Sequence, residues 1–172
     1  MVVKIASSII ALLILSAGSV FPATGSKSIA IKTLLKTMSR AELLKTLGTH
    51  ALSDSTIETK NGQAFHRLLF EPVTFEGVPS ILEVILANDS TSMITVYLPY
   101  IGRPSTRLKF PYATSFVHST FDDYNQMERK IENELGIPTV LTSANFEYLN
   151  GAMQSIFGVF ENGETRITIT PS

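Results

Sequence analysis

The sequence predicts an α+β domain: an antiparallel sheet of about five to seven strands, with one long and one short helix packed on one face. Three observations carry this. Two segments bear a complete helix signature, from cap to stop. Between and after them lie runs of alternating apolar residues. Those runs are separated by turn dipeptides, with Asn162-Gly163 the strongest hairpin signal in the chain.

The short helix comes first, after an entry segment from Ser26 to Leu35 that reads as either helix or strand. Ser39-Arg40-Ala41-Glu42 has the spacing of a capping box. The Ser39 hydroxyl reaches the Glu42 N–H, and the Glu42 carboxylate reaches back to residue 39. Leu43, Leu44 and Leu47 follow, and Gly48 supplies the left-handed stop. The long helix opens at Thr120-x-x-Asp123, a weaker box because Asp is the shorter partner. Tyr124, Met127, Ile131 and Leu135 recur three and four residues apart, which is one helical face. Leu135-Gly136-Ile137-Pro138 ends it. Both helices end in Leu-Gly and lead into strands, an echo that reads most plainly as two ordinary helices.

The strands follow a period of two. Phe65 to Phe75 is rich in aromatic and branched residues, with Pro72 marking an edge or an irregularity. Leu82, Val84 and Leu86 share one face of the next run, and Ile94, Val96 and Leu98 one face of the run after Asn88-Asp89. Asn145 to Leu149, Met153 to Phe160 and Thr165 to Thr170 complete the tail. His50 to Gly62 reads as polar and turn-rich, and Ala113 to His118 as a further candidate strand. The expected core is Leu82, Val84, Leu86, Ile94, Val96, Tyr124, Ile131, Ile167 and Ile169.

The first 25 residues read as a cleavable secretory signal, leaving 26–172 as a single domain. Lys4 is the only charge before Lys27, Ile9 to Leu15 is an apolar centre, and Ala23-Thr24-Gly25 offers small residues for cleavage before Ser26. The competing reading is an uncleaved anchor. Against it, a span wants about 20 apolar residues, and this run is interrupted by Ser7, Ser8, Ser16 and Ser19. The chain has no cysteine. That excludes a lipoprotein processing site and disulfides, and fits a periplasmic or extracellular address without staples. Asn88-Asp89-Ser90 matches a glycosylation sequon, a pattern common by chance and relevant only in a eukaryotic secretory path.

Removing Lys4 from the 14 basic residues leaves 13 against 15 acidic ones, a formal charge of −2 for the remaining 147 residues. A general nucleic-acid binder would be clearly basic, so none is expected. No second run of spanning length follows the signal, so no membrane span is expected after cleavage.

No catalytic, metal or cofactor site emerges. His50, His66 and His118 stand 16 and 52 residues apart, without a zinc-ligand spacing. No nucleophile-elbow pattern or glycine-rich phosphate cradle occurs. Asp122-Asp123 reads as charge complementing a helix dipole before it reads as an acid pair. One stretch differs. From Ser90 to Phe121 there is no acidic residue. There Tyr100, Arg103, Arg107, Lys109, Tyr112 and His118 interleave cations with aromatics, the chemistry of interface hot spots. They form the candidate binding surface, with an anionic envelope component or an acidic protein as the partner it would suit. The plainer reading buries the aromatics and leaves the cations solvated.

Ser39 to Gly48 followed by strands, and the second unit ending Leu135-Gly136-Ile137-Pro138, resemble in layout the small periplasmic domains of the β-lactamase-inhibitor-protein and outer-membrane assembly lipoprotein type. The lipoproteins' acylated cysteine is missing here. The resemblance implies a helix-on-sheet fold that binds proteins without catalysis. The sequence therefore points to an exported, non-catalytic protein that binds a protein or envelope component. The competing classes are an envelope hydrolase with an unrecognised site and a small-ligand or lipid carrier.

Overall fold

The computed structural model describes residues 28–59, 61–98 and 119–172. Among them three helices, α1 (Ile31–Leu34), α2 (Arg40–Leu47) and α3 (Phe121–Leu135), accompany eight strands. The strands are β1 (Ser53–Glu58), β2 (Ala64–Phe75), β3 (Val78–Ala87), β4 (Ser90–Leu98), β5 (Val140–Leu141), β6 (Asn145–Asn150), β7 (Met153–Glu161) and β8 (Glu164–Ile169). They form one sheet in the order β1-β2-β3-β4-β8-β7-β6-β5, and every adjacent pair is antiparallel. The α+β class and the antiparallel sheet are as expected. The strand count exceeds five to seven because β1 and β5, the two edges, carry little of the alternation that marks a half-buried strand.

The topology is two equivalent meanders joined at their last strands. α2 leads into β1 to β4, α3 leads into β5 to β8, and β4 pairs with β8. The echo between the two Leu-Gly helix ends thus marks two units of the same connectivity. Both helix starts are built as their sequences specify. The Glu42 N–H donates to Ser39 Oγ at 3.3 Å, and the Ser39 N–H donates to Glu42 Oε2 at 2.9 Å. The Asp123 N–H donates to Thr120 Oγ1 at 3.2 Å, and the Thr120 N–H donates to Asp123 Oδ2 at 2.7 Å. Gly48, with φ +64°, stops α2 in the left-handed region.

Two-residue turns set the register of three hairpins. Glu76-Gly77, Asn88-Asp89 and Asn162-Gly163 all have positive φ at both positions, which matches the right-handed twist of the strands they join. Beside Pro72 the β2–β3 register shifts between Phe70 and Val73, the irregularity its missing N–H demands. The entry segment resolves into α1, held by distant groups. The Ile31 N–H donates to Glu76 Oε1 of the β2–β3 turn, and Ile29 bridges Phe75 in parallel.

All three helices lie on one face of the sheet. Ile31 and Leu34 of α1, Leu43 and Leu47 of α2, and Tyr124, Met127 and Ile131 of α3 share one buried cluster with Leu68, Phe70, Leu82, Val84, Leu86, Ile94, Val96, Ile167 and Ile169. Every residue of the expected core is buried.

Within this core the Tyr124 hydroxyl is buried and has no hydrogen-bond partner among the described residues. Burial, and secondarily the charge of Glu128, push its pKa up to about 12. Tyr148 is likewise raised to about 12 by burial and by Glu132. Both phenols hold their protons more tightly folded than unfolded, where the ordinary value is 10.0. Above about pH 10 the unfolded chain therefore binds fewer protons, and stability falls as pH rises toward 12. Tyr124→Phe removes an unsatisfied donor. Stability at neutral pH is expected to stay level or rise by about 1 kcal/mol, and the alkaline slope to flatten, in denaturant titrations at pH 7 and above 10. A loss above about 1 kcal/mol at pH 7 would mean the hydroxyl has a partner.

Candidate binding surface

Strand alternation that sends Leu82 and Val84 to the helices sends their neighbours to the second face. Cross-strand partners share a face, so one row there runs Ser53, Leu69, Glu83, Thr95, Thr168, Phe157, Glu147, Val140. A parallel row runs Ile81, Tyr97, Arg166, Val159, Asn145.

The two halves of this face differ in exposure. On β2 to β4, Leu69, Ile81, Thr95 and Tyr97 are buried, although none of them belongs to the helix-side core. Their polar neighbours are paired. Arg67 Nε donates to Glu83 Oε1 at 2.6 Å, and the Tyr97 hydroxyl donates to Glu83 Oε2 at 3.1 Å. Burial first, and then the Glu83 charge, raise the Tyr97 pKa well above the usual phenol range. One carboxylate thus accepts from two side chains on neighbouring strands and stitches β2, β3 and β4 together. Apolar and paired polar groups share this half of the face.

The far half is half-buried at Thr168, Phe157 and Glu147 and becomes exposed at its end, Val140. Among the described residues, five of the nine exposed large apolar side chains fall between residues 137 and 153: Ile137, Val140, Leu141, Leu149 and Met153, at 39 to 84% exposure. Val140 lies opposite Glu147 and so on the second face, and Leu149 sits two residues further along the same strand. Leu141 lies opposite Phe146 and so on the helix side. Ile137 follows the α3 stop, and Met153 opens β7 opposite Asn150. Ile137, Val140, Leu141 and Leu149 lie on or beside the β5 edge, and Met153 lies at the β6–β7 turn two strands in.

Local bonds hold that edge in place. The Tyr148 hydroxyl donates to the Gly136 carbonyl at 2.7 Å, tying β6 to the end of α3. The Thr139 N–H donates to Glu147 O at 2.7 Å, and the Leu149 N–H donates to Thr139 Oγ1 at 3.2 Å. At the β5–β6 turn Thr142 Oγ1 donates to Asn145 Oδ1 at 2.6 Å. Exposed apolar groups on a fixed frame are suited to packing against another macromolecule, since ordering them again costs little.

The cation–aromatic candidates Tyr100, Arg103, Arg107, Lys109, Tyr112 and His118 lie outside the described residues, as does the candidate strand 113–118. Asp123 of the acidic pair is engaged in the α3 cap. His66 lies 3.8 Å from Asp54, which also pairs with Arg40. Among the described residues no three His, Cys, Asp or Glu side chains gather as a metal site would require, and no helix is long and apolar enough to cross a membrane. The apolar edge was missed in the sequence. Its one signal was Ile137, Val140 and Leu141 standing among turn residues, where the expected pattern is polar.

No protein-family model, no curated protein and no solved structure matches this chain.

Proposed function

We propose that this is an exported, non-catalytic protein that binds a protein partner of the periplasm or extracellular envelope through the apolar edge formed by β5, β6 and the start of β7. The observation that carries the reading is the concentration of exposed apolar side chains between Ile137 and Met153. Exposed apolar area favours association, so a concentration of such groups in one short stretch of chain points to an interaction site. The layout of two capped helices, each feeding an antiparallel meander, supports placing the chain among helix-on-sheet binding domains of the periplasmic inhibitor type.

Export rests on the first 25 residues. Mass spectrometry of protein from its native host should find an N-terminus within a few residues of Ser26. Recovery of intact Met1 in a membrane fraction would replace secretion with anchoring. The binding surface is tested by exchanging Leu141 and Ile137 for Ser. Both are exposed, so the fold should hold to within about 0.5 kcal/mol, while capture of the native partner falls at least tenfold. Undiminished capture would move the surface elsewhere.

A further inference from the structure

We propose a second site, distinct from the apolar edge: an open trough between α1 and α2 that takes an acidic sugar. The trough encloses about 590 Å³, within the range of small-molecule sites, about 300–1,000 Å³. Its apolar lining residues are Ile29 and Met38, both buried. Four hydroxyls join them: those of Thr33 and Thr37, that of Ser28, which accepts from the Gly77 N–H, and that of Thr46, which donates to Met38 Sδ; Lys36 and Lys45 are exposed.

The charges favour an anion. Lys36 and Lys45 are in none of the ion pairs among the described residues, whereas Lys32 nearby is held by Glu134 at 3.2 Å. The one acid in the lining, Glu42, accepts from both the N–H and the hydroxyl of Ser39. Its carboxylate is held at the helix cap but keeps its charge, so two lysines against one acid leave the lining with a net charge of +1. The two ammonium groups offer three donors each and no acceptor.

The uncharged lining narrows the class. Ile29 and Met38, both buried in the core, offer too little apolar surface to bury an acyl chain. Threonine hydroxyls both donate and accept, which matches sugar hydroxyls. A phosphate or carboxylate on the ring then meets the lysines. The ligand class is a phosphorylated or carboxylated saccharide, whether a free sugar or a unit of an acidic envelope polymer.

The test is a titration of the purified protein followed by amide NMR, using glucose 6-phosphate, a galacturonic acid trimer and neutral maltotriose. The acidic sugars should shift the amides of Thr33, Thr37 and Thr46 and bind at least tenfold tighter than maltotriose. Raising the salt should weaken them, because the lysines are exposed and screened. The double variant Lys36→Gln with Lys45→Gln should lose at least tenfold in affinity while keeping the core amide pattern. A trimer preference assigns the polymer, and equal affinity for the monophosphate assigns a free sugar. Overturning results are maltotriose binding as well as the acidic sugars, shifts confined to other elements, no binding at millimolar sugar, or a folded double variant that binds as the parent does. Partner capture through the Leu141 edge is read separately, so either site can fail alone.

Discussion

Gly158→Ala is expected to destabilise the protein by about 3 kcal/mol, the upper part of the range for overpacking a close-packed core. Gly158 lies on β7 directly opposite Phe146 on β6. A Cβ built there would stand 2.1 Å from Phe146 Cζ and 2.2 Å from Cε1. The backbone of Gly158 is outside the left-handed region, so alanine brings no dihedral strain. It would gain about 0.4–1 kcal/mol by restricting the unfolded chain. The sign is therefore decided by the ring. Phe146 is fully buried, its centroid 6.0 Å from that of Tyr124 and 6.2 Å from that of Tyr148, so it cannot swing aside. Phe146→Leu in the same chain should recover part of the loss, giving a coupling of about 1 kcal/mol or more in a double-mutant cycle. Alanine at 158 with unchanged stability would mean the ring does not lie across the glycine.

Ile131→Ala is expected to cost about 2–5 kcal/mol. Ile131 is fully buried on the α3 face that carries Tyr124 and Met127 and meets the shared core. Truncation leaves a cavity between α3 and the sheet, which neighbouring β-branched side chains such as Ile167 and Ile169 are too stiff to fill. Arg129→Ala, on the exposed side of the same helix, should change stability by no more than about 0.5 kcal/mol. A cost below about 0.5 kcal/mol at Ile131, in denaturant or thermal unfolding, would mean that α3 packs by another face.

What the sequence discloses is local in origin. The boxes at Ser39 and Thr120 close over three residues, and the Gly48 stop needs only its own helix. The period of two places Leu82, Val84, Ile94 and Val96 on one face because cross-strand partners obey the same alternation. What it hides is set by distant partners. α1 is four residues long and depends on Glu76, 45 residues away, to satisfy its first N–H. β1, Ser-Asp-Ser-Thr-Ile-Glu, has almost no apolar face and is held by its ladder to β2. The joining of β4 to β8, which turns two meanders into one sheet, pairs residues 67 to 75 positions apart, from Leu98↔Thr165 to Ile94↔Ile169. The second face hides for another reason. Leu69, Ile81 and Tyr97 occupy positions that alternation assigns to solvent, and only the Arg67–Glu83–Tyr97 bonding shows how that face is organised.

The candidate site was illegible for the same reason. Ile137 and Val140 read as a helix stop and its aftermath. Leu149 and Met153 belong to the β6–β7 hairpin, which comes beside Val140 and Leu141 only because β5 pairs with β6. Their grouping is a product of topology.

The most direct test places a photo-crosslinking residue at position 141 and, as a control, at position 122 on the outer surface of α3, in cells of the native host. Binding through the β5 edge predicts a discrete crosslinked protein adduct at 141 and none at 122. An absence of adducts at 141, or the same adducts from both positions, would contradict it.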